Sequence, residues 1–91
     1  MRAVWRVGPE VAWVDDEKER VAVLDLDSPD QLPLVLTQTS AVIWLCVDGA
    51  STDDEIVMRV AEEYEVNADD IREQVLAFLT ELDQRHLIVR T

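Results

Sequence analysis

The sequence predicts an α+β domain in which a three-stranded antiparallel sheet is followed by three helices. Three observations predict it. The first third carries short β-branched and apolar runs. The remainder carries apolar residues at helical spacing. Strong helix-start signals at Thr52 and Asn67 divide that remainder. Ninety-one residues form one domain, 1–91, and 48% apolar residues suffice for one compact core.

The elements follow in order. Val4 to Val7 form a candidate edge strand before the Gly8-Pro9 break. Val11-Ala12-Trp13-Val14 and Val21-Ala22-Val23-Leu24-Asp25-Leu26 are extended runs, and the six residues between them, Asp15 to Arg20, are all charged. That pattern is a hairpin with a solvated tip. Asp27-Ser28-Pro29-Asp30 signals a turn, and Leu32 to Leu36 form a third strand. Pro33 lacks an N–H, which places this strand at an edge rather than in the middle of a sheet. An edge strand keeps unpaired backbone donors and acceptors that another chain can meet.

Helix one is expected over Gln38–Val47, capped by Thr37 or Thr39 and ended by Gly49. Ala41, Ile43, Trp44, Leu45 and Val47 make it apolar on most sides, so it is the central helix. Helix two opens on Thr52-Asp53-Asp54-Glu55, a capping box, with Ile56, Val57, Val60, Ala61 and Tyr64 facing the core. Helix three opens on the cap Asn67, with Asp69 and Asp70 at the positive end of the dipole. It runs to about Arg85, and Leu87-Ile88-Val89 leave it as an extended tail. At about 100° per residue, Ile71, Val75, Phe78 and Leu82 share one stripe. Leu79 widens it and Leu76 lies further round, beside Arg72 and Asp83. Leu76 and Leu79 either complete the core or form an exposed groove wall, since apolar patches rimmed by charge mark binding sites.

Charge and chemistry narrow the function. Twenty acidic against eight basic residues give a net charge of −12. That balance opposes nucleic-acid binding, which needs clustered Lys and Arg. A DNA-reading helix three would be basic, but it holds Asp69, Asp70, Glu73, Glu81 and Asp83 against Arg72 and Arg85. Cys46 is the only cysteine and sits in an apolar helix, so it is a buried, inert thiol and no internal disulfide forms. His86, the only histidine, has no nucleophile for company and reads as a surface or packing residue near a helix end. One Cys and one His forty residues apart do not make a zinc site. The acidic pairs Asp15-Asp16, Asp53-Asp54 and Asp69-Asp70 fall at turns or helix starts, where capping and solvation account for them. With only Gly8 and Gly49 there is no phosphate loop. No metal, no cofactor and no catalytic residue is expected, and the chain is read as a binding module rather than an enzyme.

Met1 to Arg6 are followed by no apolar h-region, and no apolar run has membrane-spanning length, so the cytoplasm is the expected compartment. A phosphopantetheine carrier would carry Asp-Ser-Leu at a helix start. Here Asp27-Ser28 is followed by Pro29 in a turn, and the β-rich first third opposes that fold.

One ordered pattern remains. Leu36-Thr37-Gln38-Thr39 precedes helix one, Ile43-Trp44 lies within it and Asp48-Gly49 follows it. Thr52-x-x-Glu55-Ile56 opens helix two, and a long third helix ends near Leu87-Ile88. Over Val11 to Val89 this resembles the PqqD-like family, the RiPP recognition elements that bind leader peptides of ribosomally made, modified natural products. Where that family often has Asn after the strand-ending Leu, this chain has Thr37. The resemblance implies a winged-helix-like fold with a core over 11–89. It implies a leader peptide added as an extra strand on the third strand, its side chains settling against helix three. Leu34, Val35 and Leu36 would present the edge. Val75, Leu76 and Leu79 would line the groove, and Arg72 and Asp83 would meet polar or charged leader side chains. The partners implied are the precursor leader and a separate maturation enzyme, a leader peptidase if the pathway makes lasso peptides. The alternative is an adaptor of pyrroloquinoline quinone biosynthesis.

Overall fold

The computed structural model describes residues 3–16, 20–27, 30 and 32–91. The hairpin tip at 17–19, the turn residues Ser28 and Pro29, and Met1-Arg2 lie outside the described residues. The elements are β1 (Trp5–Val7), β2 (Val11–Asp16), β3 (Arg20–Asp25), β4 (Leu34–Thr37), α1 (Thr39–Leu45), α2 (Asp53–Tyr64), α3 (Ala68–Gln84) and β5 (Ile88–Arg90). The expected antiparallel sheet forms in the order β2-β3-β4, and three helices follow it. The strand expected over Leu32–Leu36 is β4, and it lies at an edge of the sheet.

Strand alternation divides the sheet into two faces. Val21 pairs with Leu36 and Val23 with Leu34, and these four point toward the helices. Val21, Val23 and Leu36 are buried against a core that includes Ala41, Ile43 and Trp44 of α1, Ile56, Val57 and Val60 of α2, and Val75, Leu79 and Leu82 of α3. α1 is therefore the central helix, as its all-round apolar sequence requires. Trp13, on the same side of β2, stands edge-on to Trp44 with ring centroids 6.1 Å apart and planes at 75°, a favoured aromatic geometry.

The helix starts were legible in part. Thr52 accepts from the Glu55 N–H while the Glu55 side chain accepts from the Thr52 N–H, so the capping box forms. Asn67 caps α3 by accepting from the Asp69 N–H at 3.0 Å. The start of α1 departs from expectation. Its N-cap is Gln38, with φ of 53° and no side-chain cap, rather than Thr37 or Thr39. The chain turns from β4 into α1 in a single residue, and that sharp turn requires a conformation L residues rarely adopt.

α3 ends on a Schellman turn. His86 has φ of 62°, its N–H bonds to the Asp83 carbonyl, and the Leu87 N–H bonds to the Leu82 carbonyl. The buried pair Leu82 and Leu87 provides the apolar contact that goes with this turn. The extended tail after it becomes β5, which pairs with β1 in a separate two-stranded sheet: Trp5 with Arg90, Arg6 with Val89 and Val7 with Ile88. The sequence predicts an edge strand over Val4–Val7 and an extended tail over Leu87–Val89. Their union is a contact between chain ends that local patterning does not show. It is held by Trp5, whose indole N–H donates to Asp53 and whose ring lies 4.4 Å beneath the Arg90 guanidinium. Arg90 also pairs with Asp53 at 3.4 Å.

The α1–α2 connection is organised by Asp48. Its carboxylate accepts from the Ala50 N–H at 2.9 Å, the Ser51 hydroxyl at 3.2 Å and the Arg59 guanidinium at 3.1 Å. The Ala50 N–H, with help from Ser51 and Arg59, holds the Asp48 carboxyl below its ordinary value of 3.8. A depressed folded-state pKa contributes stability that is present above the ordinary pKa and is lost as pH falls through the folded value. Wild type should therefore lose more stability than Asp48→Asn as pH is lowered from about 5 to below the ordinary carboxylate range. Denaturant unfolding at each pH measures this, and identical pH slopes would contradict it.

Candidate peptide-binding site

Two features of β4 define the site. Its outer edge is not paired with any strand among the described residues, so backbone groups along Leu34–Thr37 remain available. Beyond its N-terminal end, an open cleft of about 370 Å³ separates it from the end of α3. Leu32, Pro33 and Leu34 form one wall, Gln84 to Leu87 form the other, and Val23 and Asp25 complete the lining. α3 packs on α2, β5 and α1 rather than directly along β4.

The cleft wall is fixed from both sides. The Schellman turn sets the backbone at His86, and Arg85 pairs with Glu81 at 3.1 Å one turn earlier. On the strand side, the Asp25 carboxylate accepts from the Asp27 N–H at 3.0 Å. Leu32 is 91% exposed at the mouth. The lining is mixed: Asp25, Gln84, Arg85 and His86 make most of the exposed surface polar, and Val23, Leu32, Pro33, Leu34 and Leu87 supply a smaller apolar part. The cleft thus offers polar contacts around a small apolar patch.

The residues expected to present the edge separate by strand parity. Leu36 is buried and Leu34 half-buried, both facing the helices, whereas Val35 faces out and is 58% exposed. The edge is therefore presented by the backbone of β4, with side chains going alternately to the core and to the outer face.

The groove wall on α3 needs correction. Val75 and Leu79 are fully buried core residues, so neither supplies exposed wall in this structure. Leu76 is half-buried and packs against the core from its margin. The physical reason is that α3 meets three elements at once, and its apolar arc must be wider than one contact stripe. Arg72 is half-buried and ion-paired with Asp54 of α2, so its charge is already engaged within the fold. Asp83 is exposed on the last turns of α3, just before the cleft-lining segment 84–87. Sequence reasoning missed the cleft itself. Its signal was present in the spacing of Leu82 and Leu87 around a helix end, but nothing local indicates that this end lies opposite Pro33.

Cys46 is buried, and desolvation pushes its thiol above the ordinary value of 9.0. No cluster of metal-ligating side chains occurs among the described residues, and no helix there is long and apolar enough to cross a membrane.

With this geometry established, known proteins give a context. A family model described as coenzyme PQQ synthesis protein D (PqqD) matches residues 21–88. The chain belongs to the PqqD family. The match takes in β3, β4 and all three helices, and so the cleft and the free edge of this PqqD-family protein lie almost wholly within it. A solved structure described as TbiB1 in complex with the TbiA(beta) leader peptide has the same fold. The TM-score is 0.78 over 91% of this chain and 93% of that chain, at 20% sequence identity. No curated protein sequence matches.

The α3 assignment predicts unequal responses to truncation. Leu79→Ala, a cavity in a closed core, should lose about 2–5 kcal/mol, whereas Leu76→Ala at the margin should lose less than about 2 kcal/mol. Denaturant unfolding measures both, and an equal loss would contradict the placement of Leu79.

Proposed function

We propose that this chain binds the leader segment of a ribosomally synthesised precursor peptide by strand addition at β4. The leader runs beside the free edge, and one of its apolar side chains enters the cleft between β4 and the end of α3. The observation that carries this reading is the unpaired edge strand opening directly onto a cleft. It is supported by membership of the PqqD family and by a similar fold whose structure is described with a leader peptide.

Strand addition suits this site physically. Each backbone hydrogen bond contributes about 0.5–1.5 kcal/mol net, largely independent of leader sequence, while the cleft supplies selectivity. Leu34, Val35 and Leu36 provide the paired backbone. Asp83 immediately precedes the helix-side wall, and Leu76 packs at the margin of the core about two turns earlier on the same helix. Arg72 stays tied to Asp54, and Val75 and Leu79 belong to the core.

The chain performs no chemistry of its own in this reading. It works as a cytoplasmic adaptor that presents the precursor to a separate maturation enzyme, a leader peptidase in a lasso-peptide pathway. Binding raises the local concentration of precursor at that enzyme. A second reading, an adaptor in pyrroloquinoline quinone biosynthesis, is favoured by the description of the matching family model. The leader that binds distinguishes the two.

Calorimetry with a synthetic leader, taken from a short reading frame beside this gene, tests the proposal. Wild type should bind, and Val35→Pro and Leu76→Asp should each weaken binding by at least about tenfold, or ~1.4 kcal/mol, while keeping the wild-type circular dichroism spectrum. Absence of binding to any neighbouring leader would refute the function. Tight binding indifferent to both variants would refute the site.

A further inference from the structure

The sheet has a second face that its own fold leaves open. Register places Val14, Ala22 and Val35 in one row across β2, β3 and β4, and Ala12 and Leu24 in the next, with Pro33 beside them. Val14, Ala22, Val35, Ala12 and Leu24 point away from the helices. Val14 is 68% exposed and Val35 58% exposed. Two shallow depressions of about 390 and 270 Å³ lie on this face. An antiparallel sheet with one solvated face normally alternates apolar-in and polar-out. Here the middle of both faces is apolar, and only the row Arg20–Thr37 at the hairpin end is polar. Contiguous exposed apolar surface of this kind marks an interaction site.

What covers the face is constrained by three considerations. A second copy of this chain would bring another net charge of −12 against the first, and like charges juxtaposed across an interface oppose association. A leader strand paired with β4 cannot cover it either, because β2 lies three strand spacings from it, about 14 Å. Such a leader would instead extend the row Val14–Ala22–Val35 by one strand, since its outward side chains project onto the same side as Val35. A protein seated on this face would therefore touch adaptor and leader together.

We propose that the outer face of the sheet docks the maturation enzyme, through an apolar patch on that enzyme rimmed by basic residues. The inference rests on the leader-binding reading and adds the second partner to it. The basic rim follows from the net charge of −12, which attracts cationic partners; the hairpin end of the face itself carries both Asp15 and Arg20. The arrangement gives the adaptor two separate jobs on one sheet. The edge and the cleft hold the leader, and the outer face holds the enzyme that acts on it.

Ala12→Lys and Val14→Lys test the inference, because both positions are exposed and lie on β2, away from the β4 edge. Two quantities are measured with purified proteins: leader affinity by calorimetry, and processing of the precursor by the maturation enzyme encoded beside this gene. The expected result is unchanged leader affinity with processing reduced at least about tenfold, and a reduction that deepens when both substitutions are combined. Unchanged processing would overturn the inference. So would loss of leader affinity in the variants, which would assign the face to the leader, or a wild-type dimer in sedimentation that the variants dissolve, which would assign it to a second copy. If wild type binds no leader at all, the function proposed above fails instead.

Discussion

The seam between the inner row of the sheet and helix α1 sets the positions of the other elements. Val21, Val23 and Leu36 lie on one side of it, with Ala41, Ile43 and Trp44 on the other, all nearly inaccessible to water. Because strand side chains alternate strictly, burying Leu36 forces Val35 outward, and a slip of one residue would exchange the two faces of β4. The seam also holds all three helices on one side. Among the described residues no element lies over the opposite face. The free edge, the cleft and the open outer face are thus consequences of one packing decision.

The second structural element that bears on the site is the clasp between the chain ends. Trp5 is buried, bonded through its indole to Asp53 and covered by Arg90. A cation over an aromatic face contributes about 0.5–2 kcal/mol depending on desolvation, and the burial of the indole adds more. β5 follows α3 after the Schellman turn, so anchoring β5 to β1 also anchors the last turn of α3. That last turn is one wall of the cleft. The clasp therefore works at a distance from the site by keeping its helix-side wall in place.

Features with a local cause were legible in the sequence. The capping box at Thr52 and Glu55, the cap at Asn67, the edge position implied by Pro33 and the buried Cys46 all follow from residue chemistry within a few positions. Features with a distant cause were not. The α1 cap at Gln38 depends on how sharply β4 must turn to bring α1 under the sheet. The burial of Val75 and Leu79 depends on how many neighbours α3 has, which periodicity does not count. The pairing of β1 with β5 joins the two ends of the chain. The sequence does carry one signal of the second face: Val21-Ala22-Val23-Leu24 is apolar at every position. Such a run implies a strand covered on both faces, whereas the fold covers only one.

Amide hydrogen exchange along the sheet, with and without a synthetic leader peptide, tests the central claim most directly. β2 and β4 are both edge strands, and both therefore start with weakly protected outward amides. Strand addition at β4 predicts that the leader slows exchange within Leu34–Thr37 and at the cleft residues Gln84–Leu87, and leaves Val11–Asp16 unchanged. Protection appearing along β2 instead, or binding with no new protection in β4, would contradict the account.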